Sequence, residues 1–366
     1  MSQSKPSSKL VVFALAAIGL LVLPLLLQAT GSNSWVRIVD VALLYVMLAL
    51  GLNIVVGYAG LLDLGFIAFF AVGAYLYSLL ASSHLADNFP AIAAMFPNGI
   101  HLSFWIVIFL AAILAGMTGL MLGYPVLKLR GDYLAIVTLG FGEIVRIFML
   151  NLDRPINLTN GPKGIAGVDA VTVFGHNMGQ RLTISLGDWN YTFESVTLYY
   201  YLILFFVVMT VIIAHRMGNS RIGRAWMAIR EDEIAAKAMG INTRNLKLAA
   251  FGSSATFGGV AGVLFASLMR GVYPESFILM ESVMIVAMVV LGGLGHIPGV
   301  ILGALLLAGL PELLRHLAGP LHHLTDGRLA PEILRQLLIA LAMIIVMLLR
   351  PRGLWPAPEH GKSLSK

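Results

Sequence analysis

The sequence predicts an all-α polytopic membrane protein with about ten transmembrane helices and both termini in the cytoplasm. Three observations lead there. The 366-residue chain is 58% hydrophobic and only 11% charged, with a mean hydropathy of +0.88, whereas soluble domains carry roughly 25% charged residues. Apolar runs of membrane-spanning length recur along the whole chain. Lys and Arg are distributed unevenly between those runs.

In chain order the spans run Leu10–Ala29, Val36–Val56, Leu61–Ala81, Ser103–Tyr124 and Tyr133–Leu152, then Leu198–His215, Leu246–Met269, Phe277–Leu294, Val300–Ala318 and Ile333–Leu349. The first follows Lys5 and Lys9, as a signal peptide would. Its apolar stretch is long for one and the next span follows at once, so it reads as an uncleaved span. With the N-terminus inside, the cytoplasmic basic residues are Lys5, Lys9, Lys128, Arg130, Arg216, Arg221, Arg224, Arg230, Lys237, Arg244, Lys247, Arg350, Arg352, Lys362 and Lys366. Only Arg37, Arg154, Lys163, Arg181, Arg270 and Arg328 fall outside, and Arg146, Arg315 and Arg335 lie in or at the ends of spans. This is the positive-inside pattern, and the opposite orientation would put the most basic loop outside. The net charge of +6 therefore follows membrane sidedness and does not point to nucleic acid. The chain has 0 Cys, which removes disulfides, thiolate metal sites and a cysteine nucleophile. The resulting organisation is a cytoplasmic tail 1–9, a transmembrane domain 10–350 and a cytoplasmic tail 351–366, with an external loop 153–197 and a cytoplasmic loop 216–247.

Two external stretches are long enough to hold structure, Ala81–Leu102 and Asp153–Thr197. The second is rich in Gly, Asn and Thr and contains the turn signal Asn160-Gly-Pro-Lys-Gly164. It reads either as a solvated loop or as a platform for an external partner. Within spans, Gly119/Gly123, Gly258/Gly262 and Gly299/Gly303 sit four apart, a spacing that lets helices approach closely in lipid. Leu61–Leu80 matches Leu291–Leu310 at a fixed offset through Leu-Gly at 64–65 and 294–295 and Gly-Ala at 73–74 and 303–304. That match is either an internal repeat of the kind transporters use or a chance likeness of apolar segments.

Several motifs fail. Gly361-Lys362-Ser363 resembles the end of a nucleotide-binding loop, but Pro356 occupies the leading glycine position. His316, His322 and His323 cluster with only Glu312 near them, which suits a solvated loop better than a metal site. No catalytic triad, zinc motif or pair of catalytic carboxylates stands out, so the chain does not read as an enzyme. Ionisable residues at membrane depth are costly and are candidates for function. Glu143 and Arg146 share a helix face at a spacing that allows pairing, and Glu312 and Arg315 repeat it. Asp40, Asp63 and Glu281 stand alone. The pairs either orient helices or line a pathway. So few charges give little support to a proton relay.

The most unusual segment is the polar interruption 216–247. Gly223 is expected to break the chain, with a first helical piece over Ala225–Arg230. Glu231 and Asp232 place negative charge at the start of a second helix, Glu233 and Lys237 form an i, i+4 pair, and Gly240 suits a C-terminal cap. Trp226, Ile229, Ile234, Ala238 and Met239 supply apolar surface. A helix this short is marginal alone in water. The membrane surface, the spans above or a soluble partner are equally able to hold it.

Ala235-Ala236-Lys-Ala-Met-Gly240 resembles the Ala-Ala-x-x-x-Gly core of the coupling loop in permeases of ATP-binding-cassette importers. That family's glutamate would stand at position 234, where this chain has Ile, with Glu233 one residue earlier. The fuller string Gly223-Arg-Ala-Trp-Met-Ala-Ile-Arg-Glu-Asp-Glu-Ile-Ala-Ala-Lys-Ala-Met-Gly240 is similar to branched-chain amino-acid importer permeases of the LivM type. So are Leu52-Asn-Ile-Val-Val-Gly-Tyr-Ala-Gly-Leu-Leu-Asp-Leu-Gly65 with Val72-Gly-Ala-Tyr75, and Asp132-Tyr-Leu-Ala-Ile-Val-Thr-Leu-Gly-Phe-Gly-Glu143. The same holds for Leu158-Thr-Asn-Gly-Pro-Lys-Gly164, Pro274-Glu-Ser-Phe277, Val290-Leu-Gly-Gly-Leu-Gly295 with Pro298-Gly299, and Arg350-Pro-Arg-Gly-Leu354. The resemblance runs from about Leu43 to Leu354, and its specificity lies in the order of the strings.

The resemblance implies a fold like that of type II importer permeases. It implies a sister permease of the LivH type, two cytoplasmic ATPase subunits that use ATP, and a periplasmic amino-acid-binding protein, all in a bacterial inner membrane. The chain itself would bind no cofactor or metal. The expected cargo is leucine, isoleucine and valine, with urea, amides or other amino acids as alternatives and a self-sufficient carrier or channel as a further one. Coupling to the ATPases would fall to Gly223, Arg224, Ala228, Arg230, Glu231, Asp232, Glu233, Ala235, Ala236, Lys237 and Gly240. Glu143, Arg146, Glu281 and Asp63 are candidates for the pathway or for helix pairing, and Arg154, Lys163, Arg181 and Arg270 for binding-protein docking.

Overall fold

The computed structural model describes residues 8–29, 33–127, 129, 131–173, 175–186 and 189–324, with 337, 340–341, 344–345, 348 and 353–355. Most of the expected tenth span Ile333–Leu349, most of both tails, Lys128 and Arg130, and the side chains of Glu312, Arg315, His316, His322 and His323 lie outside the described residues. The described chain is mostly helical. It begins with α1 (Ser8–Ala29) and α2 (Asn33–Asn53), which continues into a π-helical turn over Ile54–Tyr58. Then come α3 (Ile67–Leu80), the short α4 (His84–Asn88) and α5 (Pro90–Met95), α6 (Phe104–Val126) and α7 (Asp132–Asn151).

The segment 153–197 is more ordered than a plain loop. It carries β1 (Ile165–Ala166), β2 (Thr172–Val173), β3 (His176–Asn177), β4 (Leu182–Leu186) and β5 (Trp189–Phe193). β2 pairs with β3 and β4 with β5, each antiparallel. The second half of the chain holds α8 (Ser195–Gly218), α9 (Arg221–Glu231), α10 (Glu233–Ala238) and α11 (Thr243–Met269). β6 (Gly271–Val272), a 3-10 turn (Pro274–Phe277), α12 (Leu279–Gly292) and α13 (Ile297–Leu324) follow. β6 pairs antiparallel with β1 and ties the segment after α11 to the 153–197 region.

Among the described residues, five helices are long and apolar enough to cross a membrane: α2 with its π-turn, α6, α7, α8 and α11. Four shorter apolar stretches lie in α1, α3, α12 and α13. α11 packs lengthwise against α6 and α3, and α2 packs against α8, α11 and α13. Small residues make these approaches close. A methyl group on Gly262 of α11 would meet the Phe70 carbonyl of α3 at 2.2 Å, and one on Gly119 of α6 would meet Ala255 Cβ at 2.5 Å. The core is correspondingly built from α2, α3 and α11, while α7 keeps a face of Tyr133, Ile136, Ile144 and Phe148 exposed.

Two expected spans are shorter than their apolar runs. The Leu61–Ala81 run is helical only from Ile67, because residues 59–66 leave the helix and the Asp63 side chain turns back to accept the Gly65 N–H at 2.9 Å. The Phe277–Leu294 run becomes α12 alone, since Phe277 closes the 3-10 turn and Ile278, Gly293 and Leu294 lie outside the helix. Hydropathy does not register the first of these interruptions, as residues 59–66 are largely apolar. The internal match has a structural counterpart. Leu64-Gly65 and Leu294-Gly295 are both non-helical, and each stands two residues before a helix, at Ile67 and Ile297.

Candidate functional site

The loop 216–247 folds into a compact unit of α9, α10 and the first turn of α11. Ser220 caps α9, its hydroxyl accepting the Gly223 N–H at 3.1 Å. Gly223 lies inside α9 and does not break it, contrary to the expectation from sequence. Glycine is needed there for proximity: a Cβ would stand 2.2 Å from the Met217 carbonyl and 2.4 Å from that of Gly218. Trp226 and Ile229 are buried, at 1% and 5% exposure. The Trp226 indole N–H donates to the Leu246 carbonyl at 2.7 Å, pinning α9 to the start of α11. The spans are therefore what hold α9.

Arg230, at the end of α9, reaches a different element. Its guanidinium donates to the Gly57 carbonyl in the π-turn at 2.5 Å. Gly57 in turn lies against the 293–296 turn, where the Gly295 N–H donates to Asn53 Oδ1 at 2.9 Å. A cavity of about 450 Å³ opens beside this junction, between His215, Arg230 and His296. Arg230 thus connects the loop to the ends of α2 and α12. Nearer the start of α9, Arg224 donates to the Asn219 carbonyl at 2.9 Å, and Ala228 is half-buried.

Asp232 breaks α9 from α10. Its backbone is extended, and its carboxylate accepts the Ile234 and Ala235 N–H groups at 2.8 and 3.0 Å. Negative charge at the start of α10 thus comes from Asp232 and Glu233, while Glu231 closes α9 and stays exposed. α10 ends in a Schellman arrangement. Gly240, at φ +82°, donates to the Lys237 carbonyl and Ile241 to that of Ala236, at 3.0 and 3.1 Å.

Glu233 turns inward. It pairs with Lys247 at 2.7 Å and more loosely with Lys237 at 3.5 Å, and Thr243 donates to it at 3.3 Å. The Lys247 ammonium, hydrogen-bonded to it, holds the Glu233 carboxyl below its ordinary value. Ala236 is buried beneath α10. The opposite face is open, with Ile234 76% and Met239 82% exposed and Ala235 and Ala238 beside them.

The remaining candidates are dispersed. Glu143 and Arg146 are joined on α7, with the Arg146 Nε 2.9 Å from Glu143 Oε1. Asp63 is fully buried off the end of α3, held by the Gly65 N–H. Glu281 is not alone, since the Tyr45 hydroxyl donates to Oε2 at 2.7 Å from α2. Arg154, Lys163, Arg181 and Arg270 are all exposed in or beside the 153–197 region, at the opposite end of α8 from the loop. Two of them already have partners. Arg181 pairs with Glu194 at 2.9 Å, and Arg270 donates to the Val168 carbonyl at 3.4 Å. His101 and Asp169, at 2.5 Å, join the two segments at that end.

Sequence reasoning missed Lys247, Tyr45, Gly57 and the His101–Asp169 pair as parts of sites. Each depends on a contact between residues far apart in the chain, for which spacing carries no signal.

Residues 34–347 match the family described as branched-chain amino acid transport system / permease component. Among similar proteins, the high-affinity branched-chain amino acid transport system permease protein LivM of Escherichia coli (strain K12) is 39% identical over 350 residues, covering 93% of this chain and 74% of that protein. A probable branched-chain amino acid transport permease protein LivM of Methanocaldococcus jannaschii is 27% identical, covering 86% and 90%. The permease protein LivH of Salmonella typhimurium is 26% identical, covering 87% and 93%. No solved structure matches. The long, apolar helices make this an integral membrane protein, and the chain belongs to the family of branched-chain amino acid transport permease components.

Proposed function

We propose that this chain is a permease subunit of an ATP-driven importer that carries leucine, isoleucine and valine across the bacterial inner membrane. It crosses about ten times with both termini in the cytoplasm, as the distribution of Lys and Arg favours, and its transmembrane domain spans 10–350. It works beside a sister permease of the LivH type, with a periplasmic binding protein outside and two ATPases inside. Those ATPases bind and hydrolyse ATP, and this chain binds no cofactor or metal.

The loop supplies the observation that carries the reading. Its α9 face is anchored in the spans through Trp226, Ile229 and Arg230, while its α10 face leaves Ile234 and Met239 uncovered. Such a pair of faces transmits force: a subunit gripping α10 moves α9, and Arg230 passes the movement to the π-turn of α2. Among the acidic residues, Glu233 is engaged within the chain, which leaves Glu231 outermost for an ATPase.

The test is co-purification with the ATPase subunits, followed by uptake of leucine and urea in reconstituted complexes with and without ATP. ATP-dependent leucine uptake is the expected result. Uptake by the chain alone, driven by an ion gradient, would reject the importer reading, and preference for urea would reassign the cargo.

A further inference from the structure

α3 and α12 are 14 residues each, about 21 Å at ~1.5 Å per residue, too short to cross a ~30 Å hydrocarbon core. Their N-terminal ends meet, the Ile67 N–H donating to the Ser282 hydroxyl at 3.3 Å. Beside this junction lies a cavity of about 200 Å³, bounded by α2, α3, α11, the 3-10 turn and α12. Leu44, Leu48, Phe70 and Phe265 make most of its wall apolar. The polar groups at its edge are the Tyr45 hydroxyl, Ser276 and the Glu281 carboxylate.

The chemistry of that lining is selective. Tyr45 fixes one oxygen of Glu281, and among the described residues no Lys, Arg or His forms an ion pair with it. A carboxylate in apolar surroundings is expensive unless a cation joins it. The space is several times the ~30 Å³ share of one water and below the ~300–1,000 Å³ of drug-sized pockets. It therefore suits one small molecule with a cationic head and a short apolar body. Broken helices meeting at depth are also where irregular backbone is tolerated in a membrane, because it lines a cavity.

We propose that this cavity is a transit station in which Glu281 receives the α-ammonium group of the carried amino acid. The apolar side chain of the cargo lies against Leu44, Leu48, Phe70 and Phe265. One acid with no matching cation gives a weak site, which a transport pathway needs, since the cargo must leave as readily as it enters. The proposal rests on the importer reading above and adds to it a place and an orientation for the cargo.

The experiment uses the whole importer in proteoliposomes and measures ATP-driven uptake of leucine, valine and alanine. Glu281→Gln keeps the shape of the carboxylate and removes its charge, and leucine uptake is expected to fall at least tenfold in complexes that still assemble. Tyr45→Phe is expected to cost about threefold. Val41→Phe narrows the cavity and is expected to lower the ratio of leucine to alanine uptake at least fivefold. Full leucine uptake in Glu281→Gln, or an unchanged leucine-to-alanine ratio in Val41→Phe, overturns the proposal. If Glu281→Gln does not assemble, the ratio in Val41→Phe decides. A wild-type importer that moves none of the three amino acids would sink the importer reading, and the transit site with it.

Discussion

Lys247, in the first turns of α11, places its ammonium 2.7 Å from Glu233 Oε2 at the start of α10, and Lys247 is itself only 8% exposed. This bond braces α10 against the span that follows it. Charge-assisted hydrogen bonds of this kind contribute about 1.5–3 kcal/mol. Glu233→Gln and Lys247→Met are therefore each expected to speed amide exchange over 234–239 about tenfold or more, where ~1.4 kcal/mol is a factor of ten. The charge-swapped pair Glu233→Lys with Lys247→Glu restores part of the protection. The carboxyl of Glu233 is held below its ordinary 4.5, so the brace is complete above that pH and is lost only as pH falls through the lowered value. Protection of α10 against exchange, taken relative to the base-catalysed intrinsic rate at each pH, is therefore constant between pH 6 and pH 8, and a change in it over that range would contradict this assignment.

Gly240 gives a sharper distinction. A side chain there meets no atom within 4 Å, but the backbone sits at φ +82°. The obstacle is conformation rather than space, and the left-handed region costs an ordinary L-residue roughly 1–2 kcal/mol. Asn tolerates that region better than β-branched residues do. Gly240→Val is expected to reduce ATP-driven uptake several-fold, with Gly240→Asn close to wild type. Equal loss in both variants would indicate that the glycine matters for another reason.

Much of this loop was legible in the sequence because its signals are local. Glu233 with Lys237 and Gly240 at the end of α10 are spacing rules, and the structure has both. Gly223 was misread because a glycine is either a break or a close approach, and only the neighbouring Met217 and Gly218 carbonyls decide between them. The same limit hid the end of the Leu61–Ala81 run, where hydropathy is uniform and a single Asp63 side chain reorganises the backbone. Tyr45 and Glu281 are 236 residues apart, so no periodicity could have joined them.

The exposed face of α10 makes a prediction about assembly. Ile234 and Met239 are among the most exposed large apolar side chains of the described residues, although α10 is otherwise built of small and charged residues and Met239 only caps its end. On the proposed importer reading, this uncovered apolar pair is the part of the loop that an ATPase covers. Ile234→Asp with Met239→Asp is expected to cut recovery of the ATPase subunits at least fivefold while membrane insertion is unchanged. Full recovery would place the ATPase contact elsewhere on the loop.

At the other end of α8, the link between His101 and Asp169 is sensitive to pH. The Asp169 carboxylate, hydrogen-bonded to the imidazole, raises the pKa of His101 above its ordinary 6.5. The tie is therefore complete below 6.5 and weakens as pH rises through the raised value. Proteolysis between the two joined segments is expected to accelerate as pH rises through that range in the wild type. Asp169→Asn should remove the pH dependence, and its persistence in that variant would assign the effect to another group.

The same end tests the docking candidates, and the structure divides them. Arg181 is engaged by Glu194 and Arg270 by the Val168 carbonyl. Arg154 and Lys163 are exposed, and the side chain of neither makes a hydrogen bond or ion pair among the described residues. An acidic partner gains more from a cation that need not first leave another carboxylate, because exchanging one surface ion pair for another yields little. Arg154→Gln with Lys163→Gln is therefore expected to weaken binding-protein affinity about tenfold and to flatten its dependence on salt. Arg181→Gln should cost less than threefold. Titration of each variant with the binding protein at low and at physiological ionic strength separates these outcomes. Unchanged affinity in the double variant would remove charge from the account of docking.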